Sequence, residues 1–541
     1  MILAILLSAA AAASPAQKSP SERAALQHIT AAEISGHLRF LGDDLLEGRK
    51  PGTQGSDLAV KYLAAQLEAF GLQPAGANGS FIQPVPIVEL RGKLPPAVVF
   101  KKAGGQEVSL QVGGGVKADV ILDPDAEVDV ARLQSAPLVF VGYGIVAPEY
   151  GWDDYKDVDV KGKVVVIMNF NPPFKGEGNR LWYGRWPYKF ETAAAHGAAG
   201  AIIIHTTPSA GYPWQVLANS ADGVRLNLPP EPGEPRMQFE GWITEDGAKK
   251  VLPNLDELRA SAQQKTFKPV PVDATLSLEM PVAKRIVQSA NVVGLLPGTD
   301  AKLKSEAVVF TAHHDHLGKV APVPPATDGI YNGALDNASG CAAILTEAHA
   351  ATFAPPKRSM YFVFVTAEES GLLGSRYFAQ HPPIPAGRIA ADINSDSFNK
   401  WGKTNDLSEL GLGKSTADDV IRQVAKEQGR TVHGDSHPDR GSFYRSDQFE
   451  LARVGVPPVA VKGGPTFTGK PAGWGDQQML AFEQHDYHQP SDEYHGDWDL
   501  SGAVQDAQLQ LAVGLRIANA PKMPSWVPGD EFEAARKKAA R

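Results

Sequence analysis

Three apolar runs late in the chain, "EAVVFTA", "SMYFVFVTA" and "RIAADINS", are each followed at once by side chains that bind cations. His313 and Asp315 follow the first, Glu368 and Glu369 the second, and Asp396 the third. Between the first two lies "GALDNASG", in which Asp336 opens a helix, and beyond "VPPVAV" lies "HDYHQPSDEYH", which carries His488 and Asp492. Each residue alone has an ordinary explanation: an Asp before a helix is an N-cap, paired glutamates favour a helix start, and loop histidines are solvated. Several carboxylates gathered at one edge are different, because they repel one another unless cations compensate them. The chemistry this pattern supports is that of one or two divalent metal ions.

For these residues to converge, the apolar runs must be neighbouring strands. From Ala290 onward, short apolar strands alternate with helix-like segments such as "SGCAAILTEAHAA" and "SGLLGSRYFAQ". That alternation predicts an α/β fold, a mixed, mostly parallel sheet sandwiched by helices, with its ligand site beyond the carboxyl ends of the strands. Earlier in the chain, helical spacing over residues 29–76 is broken by "EGRKPGTQG", which predicts two helices flanking a loop. Between them and the sheet the texture changes to runs such as "AVVF", "PLVFVGYGI" and "KVVVIMNF", with one helical piece, "KFETAAAHGAAG". This region reads as a separate β-rich unit. The expected division is a signal at 1–17, an N-terminal part at 18–85, a β-rich insert at 86–289, the main α/β unit at 290–521 and a tail at 522–541, whose "EFEAARKKAAR" reads as a solvated helix end.

Composition limits the alternatives. The 541 residues exceed what one core usually serves, and 43% hydrophobic with 21% charged residues is the balance of a globular protein. The net charge of -9, from 52 basic and 61 acidic residues, does not point to nucleic acid. One cysteine, Cys341, excludes intrachain disulfides and cysteine-based zinc clusters and reads as a small buried residue, so a metal site must use His, Asp and Glu. The opening "MILAILLSAAAAASPAQ" has the short apolar core and small residues of an export signal; its about 13 apolar residues fall short of the roughly 20 that span a bilayer. The expectation is a secreted or periplasmic protein with no stable membrane span once the signal is removed.

In this order, "AHHDHLG", "GALDNASG", "VTAEESGLLGS", "INSD" and "DYHQPSD" resemble the ligand motifs of the di-zinc exopeptidases of clan MH, which include bacterial leucyl aminopeptidase, aminopeptidase Y and glutamate carboxypeptidase. "GRKPGTQG" and "GLQPAG" resemble the N-terminal segment of that family, and "GKVVVI" with "AAAHGAAGAIIIH" resembles an inserted protease-associated domain. The resemblance implies two zinc ions per chain, with His313 and Glu369 on one, Asp396 and His488 on the other, and Asp336 bridging both. A carboxylate can bridge two cations where an imidazole cannot. Glu368 is then the general base for a metal-bridging hydroxide. Strand alternation lets His313 and Asp315 point together while His314 points away, so Asp315 is expected to orient His313, with Asp492 in the equivalent role for His488. The family also suggests a cis bond between Asp336 and Asn337.

The implied function is a zinc aminopeptidase acting on peptides, with no nucleic-acid partner; nothing in the sequence sets its oligomeric state. "SFYRSDQF" departs from a family segment in which histidine often stands at the position of Gln448; Phe443, Tyr444 and Arg445 beside it are candidates for the substrate pocket. A carboxypeptidase or dipeptidase of the same clan is the nearest alternative, since Glu483 and Asp486 could meet a free amine and Arg440 and Arg445 a free carboxylate. A glutaminyl cyclase, which uses one zinc, and a receptor-like binding protein without catalysis are further alternatives. The insert reads equally as a cover over the cleft and as a stabilising appendage. Cobalt or manganese also suits such oxygen and imidazole ligands.

Overall fold

The computed structural model describes residues 19–113, 117–174, 178–220, 223–322 and 327–539. The expected export signal at residues 1–17 lies outside the described residues. Among those described, no helix is long and apolar enough to cross a membrane.

The strands Ala307–His313 and Ser359–Val365 form where β-branched and aromatic residues run together, Ile389–Asn394 (IAADIN) lies beside the first, and every residue of each is buried. Such strands need cover on both faces. They lie parallel in the order Pro458–Val459, Ile389–Asn394, Ala307–His313, Ser359–Val365. Beyond them the sheet continues antiparallel with the last residues of the strand Val270–Leu296. Helices Ala31–Leu41, Gln54–Ala69, Ser339–Ala351 and Ser501–Asn519 cover one face, and Leu373–Gln380 and Gln448–Arg453 the other. The small residues of Ser339–Ala351 let it sit at the centre, with only His349 not buried. The two helices expected around "EGRKPGTQG" are Ala31–Leu41 and Gln54–Ala69, capped by Thr30 and Thr53, whose hydroxyls accept from the backbone N–H groups of Glu33 and Ser56. A further helix, Pro20–His28, precedes them.

The insert is reached through an antiparallel ribbon in which Ile82–Gly92 pairs with Val282–Val292. Its two expected edges face each other there, with Pro86 opposite Gln288 and Val85 opposite Ser289, so the chain leaves and returns side by side. Within the insert, Val130–Phe140, Val164–Met168, Gly200–His205 and Phe239–Thr244 run parallel, with Trp186–Ala195 and Glu245–Val251 among the helices that accompany them. Separate apolar cores fill the two sides of this sheet.

The C-terminal tail differs from the expected solvated end. Helix Glu533–Ala539 has no buried residue, but Trp526 and Phe532 in front of it are 4% and 5% exposed and pack with Trp182, Phe443 and Phe449. Residues 540 and 541 lie outside the described residues.

One loop ties the N-terminal helices to the sheet edge. Glu47, Gly48 and Arg49 turn through φ of 46°, 69° and 51°, and a Cβ on Gly48 would meet the Tyr331 carbonyl oxygen at 2.4 Å, so only glycine fits there. The turn buries the Arg49 guanidinium, which donates to the carbonyl oxygens of His314 (2.8 Å), Asn332 (2.6 Å), Gly333 (3.0 Å) and Leu41. Replacing Arg49 with Met leaves these buried acceptors unpaired and is expected to destabilise the protein by roughly 3 kcal/mol or more. Urea unfolding followed by circular dichroism measures this, and an unchanged midpoint contradicts it.

Candidate metal centre

His313 closes its strand, Glu368 and Glu369 follow Val365, Asp396 follows Asn394, and His488 stands in a loop at φ 57°. All converge on Asp336, in the loop ahead of helix Ser339–Ala351. One Asp336 oxygen, Oδ1, is 3.3 Å from His313 Nε2, which is also 3.7 Å from Asp396 Oδ1. The other oxygen, Oδ2, is 3.3 Å from His488 Nε2, which is 3.1 Å from Glu369 Oε2. The carboxylate therefore stands between two imidazole–carboxylate pairs. This corrects the pairing implied by resemblance: His313 goes with Asp396 and His488 with Glu369, because Glu369 points away from the His313 side. Glu368 lies on the His313 side, its ligating atom within 4.8 Å of those of His313 and Asp396.

These residues fit divalent cations. His313 Nε2 and His488 Nε2 are buried and lack hydrogen-bond partners. Asp336, Glu368, Glu369 and Asp396 supply four carboxylates, whose charge two dications would balance. Burial disfavours the His313 imidazolium, yet Glu368, Asp336 and Asp396 hold its pKa well above the ordinary histidine value. His488 behaves alike, held at about 10 against burial by Asp336 and Glu369. Burial and Asp336 push Glu369 up, but His316 and His488 draw it down to about 2. Glu368 moves the other way: desolvation lifts it well above the usual range, with Glu369 adding to the shift and His313 opposing it. Adjacent glutamates thus have opposite protonation tendencies.

The loops are held by groups that do not themselves face the cluster. Asn337, joined to Asp336 by a cis peptide bond, donates from Nδ2 to the Ser395 carbonyl (2.9 Å) and accepts at Oδ1 from the N–H groups of Gly340 and Ser397 (both 3.0 Å). Cys341, buried as expected, donates from Sγ to the His313 carbonyl (3.0 Å). His314 points away, its Nε2 donating to the Ala290 carbonyl at 3.0 Å, and burial lowers its pKa to about 4.

Several expected roles change. His313 Nδ1 lies 3.2 Å from the Asp315 backbone carbonyl and 3.8 Å from its carboxylate, so the peptide oxygen holds the ring. The Asp315 carboxylate instead accepts the Glu368 backbone N–H at 3.0 Å. Asp492 makes no hydrogen bond to His488; it accepts the N–H groups of Leu335 (3.0 Å) and Asp336 (3.1 Å) and so fixes the bridging loop. Phe443 is buried among Tyr444, Phe532 and Phe449, off the cavity wall, whereas Tyr444 and Arg445 line it. Gln448 accepts from Asn394 (2.7 Å) and donates to the Phe443 carbonyl (2.8 Å), a packing role. Arg440 pairs with Glu483 at 3.0 Å, and Asp486 faces Lys400 at 3.9 Å.

Sequence reasoning missed Arg49 and Tyr487, and took His316 only as a neighbour of the site. Tyr487 stacks on His488 with ring centroids 4.0 Å apart, and its position next to a ligand in "DYHQ" was the available signal. For Arg49 the signal was an arginine inside a Gly/Pro-rich loop. The cluster forms one side of a cavity of about 1600 Å³, and Trp186, Tyr212, Arg185 and Arg225 of the insert form the other.

Comparison with known proteins bears on the domains that carry these residues. Residues 291–512 match the description "Peptidase family M28" and residues 134–232 match "PA domain". Aminopeptidase YwaD of Bacillus subtilis (strain 168) is 27% identical over 270 residues, 49% of this chain and 47% of its own length. Leupeptin-inactivating enzyme 1 of Streptomyces exfoliatus is 27% identical over 216 residues, 38% of this chain and 46% of its own. The chain thus spans about half the length of these curated relatives. The solved structure of an aminopeptidase from Aneurinibacillus sp. strain AM-1 shares the fold, with a TM-score of 0.50 at 17% identity over 93% of this chain and 97% of that one. Residues 291–512 therefore form a peptidase domain of family M28, and residues 134–232 a PA domain set ahead of it in the chain.

Proposed function

We propose that this protein is a two-zinc aminopeptidase that removes N-terminal residues from peptides. The observation that carries the reading is the Asp336 carboxylate, with one oxygen facing His313 and Asp396 and the other facing His488 and Glu369. The relatives from Bacillus subtilis and Aneurinibacillus are both called aminopeptidases, which supports the direction of attack. Zinc suits the set of two imidazoles and three carboxylates. Divalent cations there supply acidification of a water and polarisation of the scissile carbonyl. His313, Asp396, His488, Glu369 and Asp336 would hold them. Glu368, free of that task, accepts the proton of the attacking water and returns it to the leaving amine. Asp315 fixes the Glu368 backbone and thereby the root of that side chain. The opening residues 1–17 would direct the enzyme out of the cytoplasm.

A second reading, hydrolysis from the carboxyl end or of dipeptides, is favoured by two guanidinium groups on the cavity wall. Arg185 Nε is buried without a partner, and Arg445 is exposed with no ion pair among the described residues.

Replacing Glu368 with Gln is expected to leave metal content near wild type while kcat falls roughly 10²- to 10⁴-fold. Atomic absorption beside steady-state kinetics measures both, and substantial surviving activity removes Glu368 from the role. Loading the metal-free protein should also release protons. His488, held at about 10, carries a proton at pH 8 that a cation must displace, so apparent affinity falls as pH falls. Titration calorimetry in buffers of different ionisation enthalpy reads this; proton uptake on loading would contradict it. A panel of aminoacyl nitroanilides against N-blocked peptides decides between the two readings: cleavage of the first alone supports the aminopeptidase, cleavage of blocked peptides the alternative.

A further inference from the structure

The sequence placed His316 merely near the site. In the structure it is fully buried, and its Nδ1 lies 2.6 Å from Glu369 Oε1, the oxygen that does not face His488. Both ring nitrogens and Glu369 Oε1 are buried without a formed hydrogen bond, and the ring also lies within 4.8 Å of an Asp336 oxygen, so the 2.6 Å approach to Glu369 is the one short polar contact of the ring among the described residues. Glu369 is therefore straddled, His488 at one carboxylate oxygen and His316 at the other. Space for the second imidazole is reserved: Gly333 stands at φ 54°, and a Cβ there would sit 2.5 Å from His316 Cγ. The ring lies nearly edge-on to His488, with centroids 5.5 Å apart at 77°.

Distances distinguish this contact from the others. For bonds of about 2.0–2.1 Å, two donors on one tetrahedral zinc are separated by about 3.3 Å. The contacts of His313 with Asp336 and of His488 with Asp336 and Glu369 are 3.3, 3.3 and 3.1 Å. The His316 contact, at 2.6 Å, is closer than ligands of one cation stand and matches an imidazole set directly against a carboxylate.

We propose that His316 is a positioning residue for the metal centre: it holds Oε1 of Glu369, so that Glu369 offers Oε2 alone to the cation shared with His488 and Asp336. This rests on the metal-centre reading above. Glu369 would then offer a single oxygen, in a fixed orientation, to a cation held together with Asp336 and His488. Outer partners of this kind typically change metal affinity by 10- to 100-fold.

The test uses the full chain. Zinc and cobalt are titrated into metal-free wild type, His316→Ala and His316→Gln, with melting of the metal-free forms as the check on folding. The expected result is two ions bound by wild type, one of them bound 10- to 100-fold more weakly by His316→Ala, and part of that loss recovered by His316→Gln, whose amide can still donate to Oε1. At saturating cobalt the visible ligand-field spectrum of His316→Gln should match wild type. Unchanged affinity in His316→Ala overturns the proposal, and so does a changed spectrum at saturation, which makes His316 a ligand. Failure of wild type to bind divalent metal overturns the metal-centre reading itself, an outcome separate from either.

Discussion

The structure depends on a repulsion. Four carboxylates, those of Asp336, Glu368, Glu369 and Asp396, meet at one edge of a parallel sheet with His313 and His488 between them. Attraction to these carboxylates holds the pKa values of His313 and His488 up against burial, which would otherwise lower them. On the proposed reading the same electrostatics suits the cluster to divalent metal, which would compete with protons for the same atoms.

Such a cluster forms only if the backbone beneath it is fixed before the charges meet. Arg49 secures the carbonyls of His314 and Gly333, Asp492 the N–H groups of Leu335 and Asp336, and Asn337 the loops of Asp336 and Asp396. Each is a buried polar group satisfied by main chain, so its removal costs the hydrogen bond and strands its partner. The N-terminal helices bear on the site for this reason: Arg49, in the loop between them, holds two of its loops.

The sheet and the cluster were legible because their signals are local. An unbroken apolar run predicts a buried strand, and the residue after it falls at the sheet edge whatever the rest of the chain does. Which imidazole faces which carboxylate is not local. Pairing His313 with Asp396 depends on strands Ala307–His313 and Ile389–Asn394 being neighbours and on Glu369 turning toward His488, neither of which spacing reveals. The roles of Asp315 and Asp492 failed for a related reason: a carboxylate beside a histidine in sequence found stronger partners in backbone N–H groups. Trp526 and Phe532 lie in a polar tail whose composition says nothing of the aromatic pocket awaiting them.

The position of the PA unit over the cluster follows from covalent and apolar constraints more than from charge. Ion pairs do cross between the two parts, Arg453 with Glu191 at 2.7 Å and Arg376 with Glu234 at 3.3 Å, but all four side chains are about a quarter to a third exposed, and pairs so exposed contribute little. The ribbon of Ile82–Gly92 against Val282–Val292 is continuous with both sheets and admits little bending without breaking its ladder. On the far side, Trp182 of the insert sits 4.4 Å from Phe449 in ring-centroid distance, with Trp526 and Phe532 of the tail packed around the same rings. A ribbon at one end, a buried aromatic joint at the other, and Arg180 of the insert, which donates to the carbonyls of Asp439 (2.9 Å) and Pro438 (3.1 Å), hold the roof. The cavity between them is therefore a built feature of the chain, and the C-terminal tail, by completing the joint, is part of what sets its width.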